Sequence, residues 1–320
     1  MSQLDCLSLK YSTSHWSCDY SASFQSGHWH VITGESGCGK SSFLRLLSGL
    51  LTPGGGDILL DGQSVCHLPP HQRTFSFMSQ ANALFPGISV LDNLTLALHD
   101  DKSSHQQKSA KIHELAAMLK LDAALLHRLP SSVSGGQLSR CNLAMALLRP
   151  CSWLLLDEPF AAVDRQTRLS ILSLLREWQT TNKTGILLVS HDLDDIFTVA
   201  SDVTIIADGK IVENKPLRDA LDAPGNLSTA RLLRAGLVHL TSSGPVFIRP
   251  DHLQTSRSEL RCDETYVESL VLKEPRATRI GSSLRIIDLA QSIDVTVSAP
   301  GDFNGTIWFD RRNAQRLGPL

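Results

Sequence analysis

The spacing of apolar residues changes several times along the chain, and each change marks an element. Leu7-Ser8-Leu9-Lys10-Tyr11 alternates, predicting a half-buried strand, and Trp29-His30-Val31-Ile32-Thr33 is a compact apolar run of strand length. Phe43, Leu44, Leu46, Leu47, Leu50 and Leu51 then recur at helical spacing, and Thr52-Pro53-Gly54-Gly55-Gly56 ends that helix. Asp57 to Gly62 reads as a strand running into a turn. Residues 90–130 carry helical patterns, clearest from His105 to Lys120, where Ile112, Leu115, Ala116 and Leu119 share a face. A turn from Ser131 to Gly136 leads into a further helix, Gln137 to Leu148. Trp153-Leu154-Leu155-Leu156, Gly185-Ile186-Leu187-Leu188-Val189 and Val203-Thr204-Ile205-Ile206-Ala207 are short apolar runs of the kind found in parallel strands covered on both faces. Thr167 to Trp178, between the first two, is helical. Strands alternating with helices predict an α/β sheet.

Beyond about residue 240 the texture changes. Short alternating runs at Val246-Phe247-Ile248, Tyr266 to Leu272, Leu284 to Ile287, Ile293 to Val297 and Thr306 to Phe309 are punctuated by Ser, Gly and Pro. They predict a small all-β domain over 241–320, after a larger α/β domain over 1–240. Length agrees, since 320 residues suit about two domains. Composition narrows the function classes. With 42% hydrophobic and 19% charged residues and a net charge of −2, the chain is neither disordered nor a globally basic nucleic-acid binder. No stretch approaches the ~20 apolar residues that cross a bilayer. The richest, Leu143 to Leu156, is broken by Arg149 and Pro150, and no signal peptide is visible. Seven scattered cysteines without a C-x-x-C pair fit reduced thiols better than a disulfide framework or a zinc site. The expectation is a soluble cytosolic protein that acts alone or docks on a partner.

The chemistry starts at Gly34-Glu35-Ser36-Gly37-Cys38-Gly39-Lys40-Ser41-Ser42, which fits G-x-x-x-x-G-K-[ST] between an apolar strand and a helix. Its glycines let successive backbone N–H groups converge on phosphate oxygens, and the helix N-terminus adds a favourable partial charge. Lys40 can reach β- and γ-phosphates, and the Ser41 hydroxyl can ligate Mg²⁺. Asp157 and Glu158 end a buried strand, where α/β sheets bind ligands. Asp157 suits the Mg²⁺ shell, and Glu158 can polarise a water for attack on the γ-phosphate. Ser134-Gly135-Gly136-Gln137 places a hydroxyl and two glycines at a helix start. Taken alone, that reads first as a helix cap and second as an anion site.

The phosphate loop, S-G-G-Q, L-L-L-D-E-P and a late histidine, in this order, resemble the ATP-binding subunits of ABC importers. The resemblance implies a P-loop ATPase core, an inserted helical subdomain at about 88–148, and a small β-barrel appendage of the TOBE type. It also implies ATP and Mg²⁺ as cofactors and two ATPase subunits per assembly, with Ser134, Gly135, Gly136 and Gln137 clamping the ATP held by the partner's phosphate loop. Gln80, followed by Ala83-Leu84-Phe85-Pro86, matches the glutamine that reaches Mg²⁺ and the attacking water. Ala161-Ala162-Val163-Asp164 matches the D-loop, with Asp164 at the family aspartate, and His191 matches the histidine that reaches the γ-phosphate. Tyr11 is the expected adenine-stacking aromatic, with Trp16 its rival. Four positions depart from the family pattern: Val133 for the usual Leu, Ala161 for the usual Ser, and Cys141 and Asn142 after Arg140. Phe247-Ile248-Arg249-Pro250-Asp251-His252-Leu253 resembles the opening of the β-appendage.

The implied partners are a second copy, membrane permease subunits and, indirectly, a solute-binding protein, on the cytoplasmic face of the membrane and without nucleic acid. A soluble ABC-type ATPase acting on nucleic acid or ribosomes and an exporter ATPase are the competing readings. The single ATPase unit and the net charge of −2 stand against the first, and the β-tail against the second. Cys38, beside Lys40 and a helix N-terminus, is expected to have thiolate character.

Overall fold

The computed structural model describes residues 2–81 and 83–233, and beyond them the strand backbone within 237–316. The chain divides into two compact units, Met1–Asn214 and Lys215–Leu320. The sequence boundary near 240 lies inside the second unit.

The first unit is organised by one mixed sheet. Its strands are β1 (Gln3–Ser12), β2 (Ser17–Gln25), β3 (Trp29–Thr33), β4 (Gly55–Leu60), β5 (Gln63–Ser64), β6 (Phe75–Met78), β7 (Trp153–Asp157), β8 (Gly185–Val189), β9 (Asp202–Ala207) and β10 (Lys210–Pro216). They lie in the order β5-β4-β1-β2-β10-β9-β3-β8-β7-β6. From β9 to β6 the pairs are parallel. Every residue of β3, β7 and β8 is buried, which is why those segments read as continuous apolar runs. β1, β2, β4 and β5 form an antiparallel lobe that the sequence reading did not anticipate. Its strands alternate buried and exposed positions, as half-covered antiparallel strands do.

The helices are α1 (Lys40–Ser48), α2 (Val90–Ala97), α3 (His105–Met118), α4 (Ala123–Leu126), α5 (Gly135–Leu148), α6 (Arg165–Asn182) and α7 (Leu193–Val199). The helical region 90–130 is thus three separate helices, and caps decide where they start. Ser89 with Asp92, Ser104 with Gln107, and Ser134 with Gln137 form reciprocal capping boxes at α2, α3 and α5. α2 and α3 both pack on α5, making the inserted helical layer. Under β1 and β2, Phe43 of α1 meets Tyr20 edge-on at 4.9 Å and lies near Phe24. Arg73 fixes the other end of α1. Its buried guanidinium donates to Leu46 O at 3.0 Å and Leu47 O at 2.7 Å, satisfying carbonyls the helix leaves unpaired.

The second unit begins with α8 (Leu217–Asp222) and α9 (Leu227–Leu232). Its described strands pair into three three-stranded antiparallel sheets. The Arg249-Pro250-Asp251 part of the expected appendage opening lies outside the described residues. Among the described residues no helix is long and apolar enough to cross a membrane.

Candidate active site

Four neighbouring parallel strands, β3-β8-β7-β6, each end in one of the sequence motifs. β3 runs into 34–39 and then α1. β8 runs into Ser190-His191, β7 into Glu158, and β6 into Ser79-Gln80. A cleft of about 300 Å³ is lined by Ser36, Gly37 and Gly39 through Ser42, joined by Gln80 and Glu158. Segments about 40 to 120 positions apart in sequence therefore face one space.

The loop depends on glycine at Gly39, which caps α1 at φ 110°. A Cβ there would also stand 2.2 Å from Tyr20 Oη and 2.5 Å from the Trp16 ring. Tyr20 Oη donates to Gly39 O at 3.0 Å and pins the turn. Lys40 is only 8% exposed. Its ammonium donates to Gly34 O at 2.9 Å and Glu35 O at 2.8 Å, so the charge is held over the loop by carbonyl dipoles.

Asp157 is 1% exposed. Its Oδ1 accepts from Ser41 Oγ at 2.9 Å, while Oδ2 is buried with no hydrogen-bond partner. Burial pushes this carboxyl group's pKa up, against the opposing pull of Ser41, Arg45 and Lys40. A desolvated carboxylate oxygen beside a hydroxyl is a hard-oxygen donor set, and it fits Mg²⁺. Glu158 adopts a left-handed φ of 48°, unusual for a side-chain-bearing residue and costing about 1–3 kcal/mol. Its N–H donates to Val189 O at 3.2 Å, which ties the bend to β8. Its Oε1 lies 3.3 Å from His191 Nδ1. The acid and the histidine thus meet because β7 and β8 are adjacent.

The S-G-G-Q segment stands elsewhere, and among the described residues none of 134–137 lines the cleft. Ser134 caps α5, accepting from Gln137 N at 3.4 Å, while Gln137 Oε1 accepts from Ser134 N at 3.1 Å. A Cβ on Gly136 would come 2.8 Å from Ala162 O, so the helix start and the 159–163 loop touch through glycine. Ser139 Oγ donates to Pro159 O in the same contact.

A family model described as "ABC transporter" matches residues 18–161. The thiamine import ATP-binding protein ThiQ of Shigella flexneri is 35% identical over 214 residues, 67% of this chain and 92% of that protein. The chain belongs to the ABC transporter ATP-binding family. The molybdate/tungstate import ATP-binding protein WtpC of Pyrococcus horikoshii is 34% identical over 65% of this chain, which spans 60% of that relative's length. A dimeric structure of the ATP-binding cassette MJ0796, bound to ADP and Pi, covers 68% of this chain with a TM-score of 0.62 at 23% identity, a likeness of fold.

Placed on this ABC fold, the expected residues form two groups. Gly34 to Ser42, Gln80, Asp157, Glu158 and His191 gather at the strand ends, whereas Ser134 to Gln137 sit with the 159–163 loop. Asp164 caps α6, its carboxylate accepting from Thr167 N at 3.0 Å, a bond that lowers its pKa. Arg140 donates to Gly136 O at 3.2 Å, Leu119 O at 3.0 Å and Lys120 O at 2.7 Å, bracing the start of α5 against the end of α3. Tyr11 and Trp16 both pack half-buried on the core, and Trp16 also reaches Gly39.

One expectation is corrected. Cys38 is buried, and burial raises its thiol pKa by more than Lys40, 3.9 Å away, lowers it. The neutral thiol is favoured over the expected thiolate.

Two roles escaped the sequence reading. Asn142, noted only as a departure after Arg140, accepts from Ala83 N at 3.1 Å and ties the segment after Gln80 to α5. Arg168 of α6 pairs with Asp192 at 2.5 Å, directly after His191, and lies 3.2 Å from Asp195. An arginine on a helix face carries no local signal for such a pairing.

Proposed function

We propose that the chain is the ATPase subunit of an ABC importer, working as a dimer on the cytoplasmic face of a membrane and coupling ATP hydrolysis to solute uptake through separate permease subunits. One observation carries the reading: the strand ends bring the phosphate loop, Gln80 and Glu158 to one cleft, with Asp157 bonded to Ser41 and His191 3.3 Å from Glu158, while Ser134 to Gln137 stand apart from it. Two clefts, each completed by the other chain's α5, use every motif. The import titles of the relatives support the direction of transport. Phe85, 60% exposed after Gln80, is an apolar contact for a permease. A solute-binding protein would deliver solute to that permease. Residues 241–320 are read as the TOBE-like appendage, falling within the compact unit Lys215–Leu320.

In this reading, the loop N–H groups and Lys40 bind the β- and γ-phosphates. Ser41, Asp157 and Gln80 would hold Mg²⁺, which supplies charge neutralisation at the phosphates. Glu158 accepts the proton of the attacking water, and His191, within reach of its carboxylate, orients it. Trp16 stacks on adenine, since its ring already abuts the loop, with Tyr11 the alternative.

Glu158→Gln tests the assignment. The expected outcome is a fall in kcat of about 10²–10⁴-fold with ATP-dependent dimers accumulating on size exclusion. Normal turnover in that variant would overturn the role of Glu158. Co-purification with a multi-span membrane protein is expected, and co-purification with RNA or DNA instead would sink the transport reading.

A further inference from the structure

At the end of β3 remote from the phosphate loop, three metal-ligating groups converge. His28 and His30 flank Trp29, and the parallel register sets Asp202 of β9 beside His30. Asp202 Oδ2 is 2.8 Å from His28 Nδ1 and 3.5 Å from His30 Nδ1. All three donor atoms lie within 4.8 Å of one another. Nothing in the nucleotide chemistry uses them.

His30 makes the arrangement more than an ion pair. Its side chain is 4% exposed, and its Nδ1 is buried without a hydrogen-bond partner. Its other nitrogen, Nε2, lies 2.9 Å from Gln25 O and 3.2 Å from Gln25 N, whose N–H is aimed at it as a donor. Gln25 thus offers Nε2 both an acceptor and a donor, and with the proton on Nε2 the unpartnered Nδ1 turns its lone pair to a carboxylate oxygen. Two lone pairs in that position repel unless a cation lies between them. An imidazole that donates one N–H to a backbone carbonyl and presents its other nitrogen to a cluster is the arrangement of a metal-bound histidine.

We propose that His28, His30 and Asp202 bind a single divalent transition-metal ion of the Zn²⁺ type, clamping the turn before β3 to the start of β9. Two imidazoles and one carboxylate suit Zn²⁺, Co²⁺ or Ni²⁺ and disfavour Mg²⁺ or Ca²⁺, which take oxygen ligands. Tetrahedral Zn²⁺ with bonds of ~2.0–2.1 Å separates its ligand atoms by about 3.3 Å. The 3.5 Å spacing meets that, and the 2.8 Å contact opens as the metal replaces the hydrogen bond. His28, with 42% of its side chain exposed, gives the ion its entry and a water its place as fourth ligand. The site is independent of the ATPase reading.

Co²⁺ titrated into the nucleotide-free, full-length protein is the test, read by visible d–d absorption and followed by Zn²⁺ displacement. The expected result is one equivalent bound with an intense four-coordinate spectrum. His28→Ala, at an accessible position, and Asp202→Asn, nearly isosteric, should each weaken binding by ~10–100-fold or more. Zn²⁺ should raise the melting temperature of the wild type and of neither variant. Basal ATPase activity of both variants should match the wild type. Co²⁺ spectra unchanged by either substitution, or no binding at all, would overturn the site and leave a proton-mediated His28–Asp202 pair.

Discussion

At the scale of single residues, the site runs on unpaired and displaced polar groups. Asp157 keeps a buried oxygen without a partner, a cost that a bound cation relieves. Its folded pKa is raised, so folding favours the protonated acid. That contribution is fully present below the unfolded value of about 3.9 and is lost as pH rises through the folded value. Asp157→Asn removes the desolvated charge. It is expected to melt higher than the wild type in the nucleotide-free state at neutral pH, with the gap closing as pH falls, while losing turnover. Thermal melts across pH and an ATPase assay check both halves. Cys38 supplies a second prediction. As a buried neutral thiol it should react slowly with iodoacetamide, and Cys38→Ala should leave the labelling rate of the whole chain nearly unchanged. Rapid labelling of Cys38 blocked by ATP would reinstate the thiolate. Gln80 and Glu158 were legible as motif members. The left-handed φ of Glu158 was not, because only the packing of β7 against β8 imposes it.

At the scale of elements, α6 is the connector. Its N-cap is Asp164, its first turns carry Arg168, and Arg168 reaches Asp192 and Asp195 at the start of α7, beside His191. Its Nε is misaligned for a hydrogen bond to Asp195 Oδ1, so the pair is held by charge, while Asp195 Oδ2 accepts from Ser190 Oγ at 2.7 Å. Arg168→Met would leave the buried Asp195 carboxylate uncompensated, a loss of about 3–5 kcal/mol. Adding Asp195→Asn should recover part of it, as chemical denaturation can measure. Gly136 is the other sensitive joint. Gly136→Ala puts a methyl group 2.8 Å from Ala162 O, and that backbone must shift. The expected outcome is unchanged ATP affinity of the single chain with reduced turnover of the dimer, read by nucleotide titration against kcat.

For the whole molecule, the separation of Ser134–Gln137 from the cleft makes a mixing experiment decisive. Lys40→Ala and Ser134→Arg chains should each be inactive alone. Mixed, their heterodimers pair one intact phosphate loop with one intact α5, so activity should return, and persistent inactivity would argue for a site complete within one chain. By itself the sequence determined the local chemistry. The G-x-x-x-x-G-K-S loop needs only glycine backbone freedom and a helix start, and the capping box at Ser134 is set by residues three apart. The unbroken apolar runs of β3, β7 and β8 announced their burial for the same local reason. The tertiary structure decided the rest. Strand order is a property of non-local pairing, and β3-β8-β7-β6 is what brings the phosphate loop, Gln80 and Glu158 to one cleft and sets His191 beside Glu158. The antiparallel lobe, the Arg168 network and the His28–His30–Asp202 cluster likewise join residues up to 174 positions apart. No periodicity records such contacts, because the partners meet only when the sheet is complete.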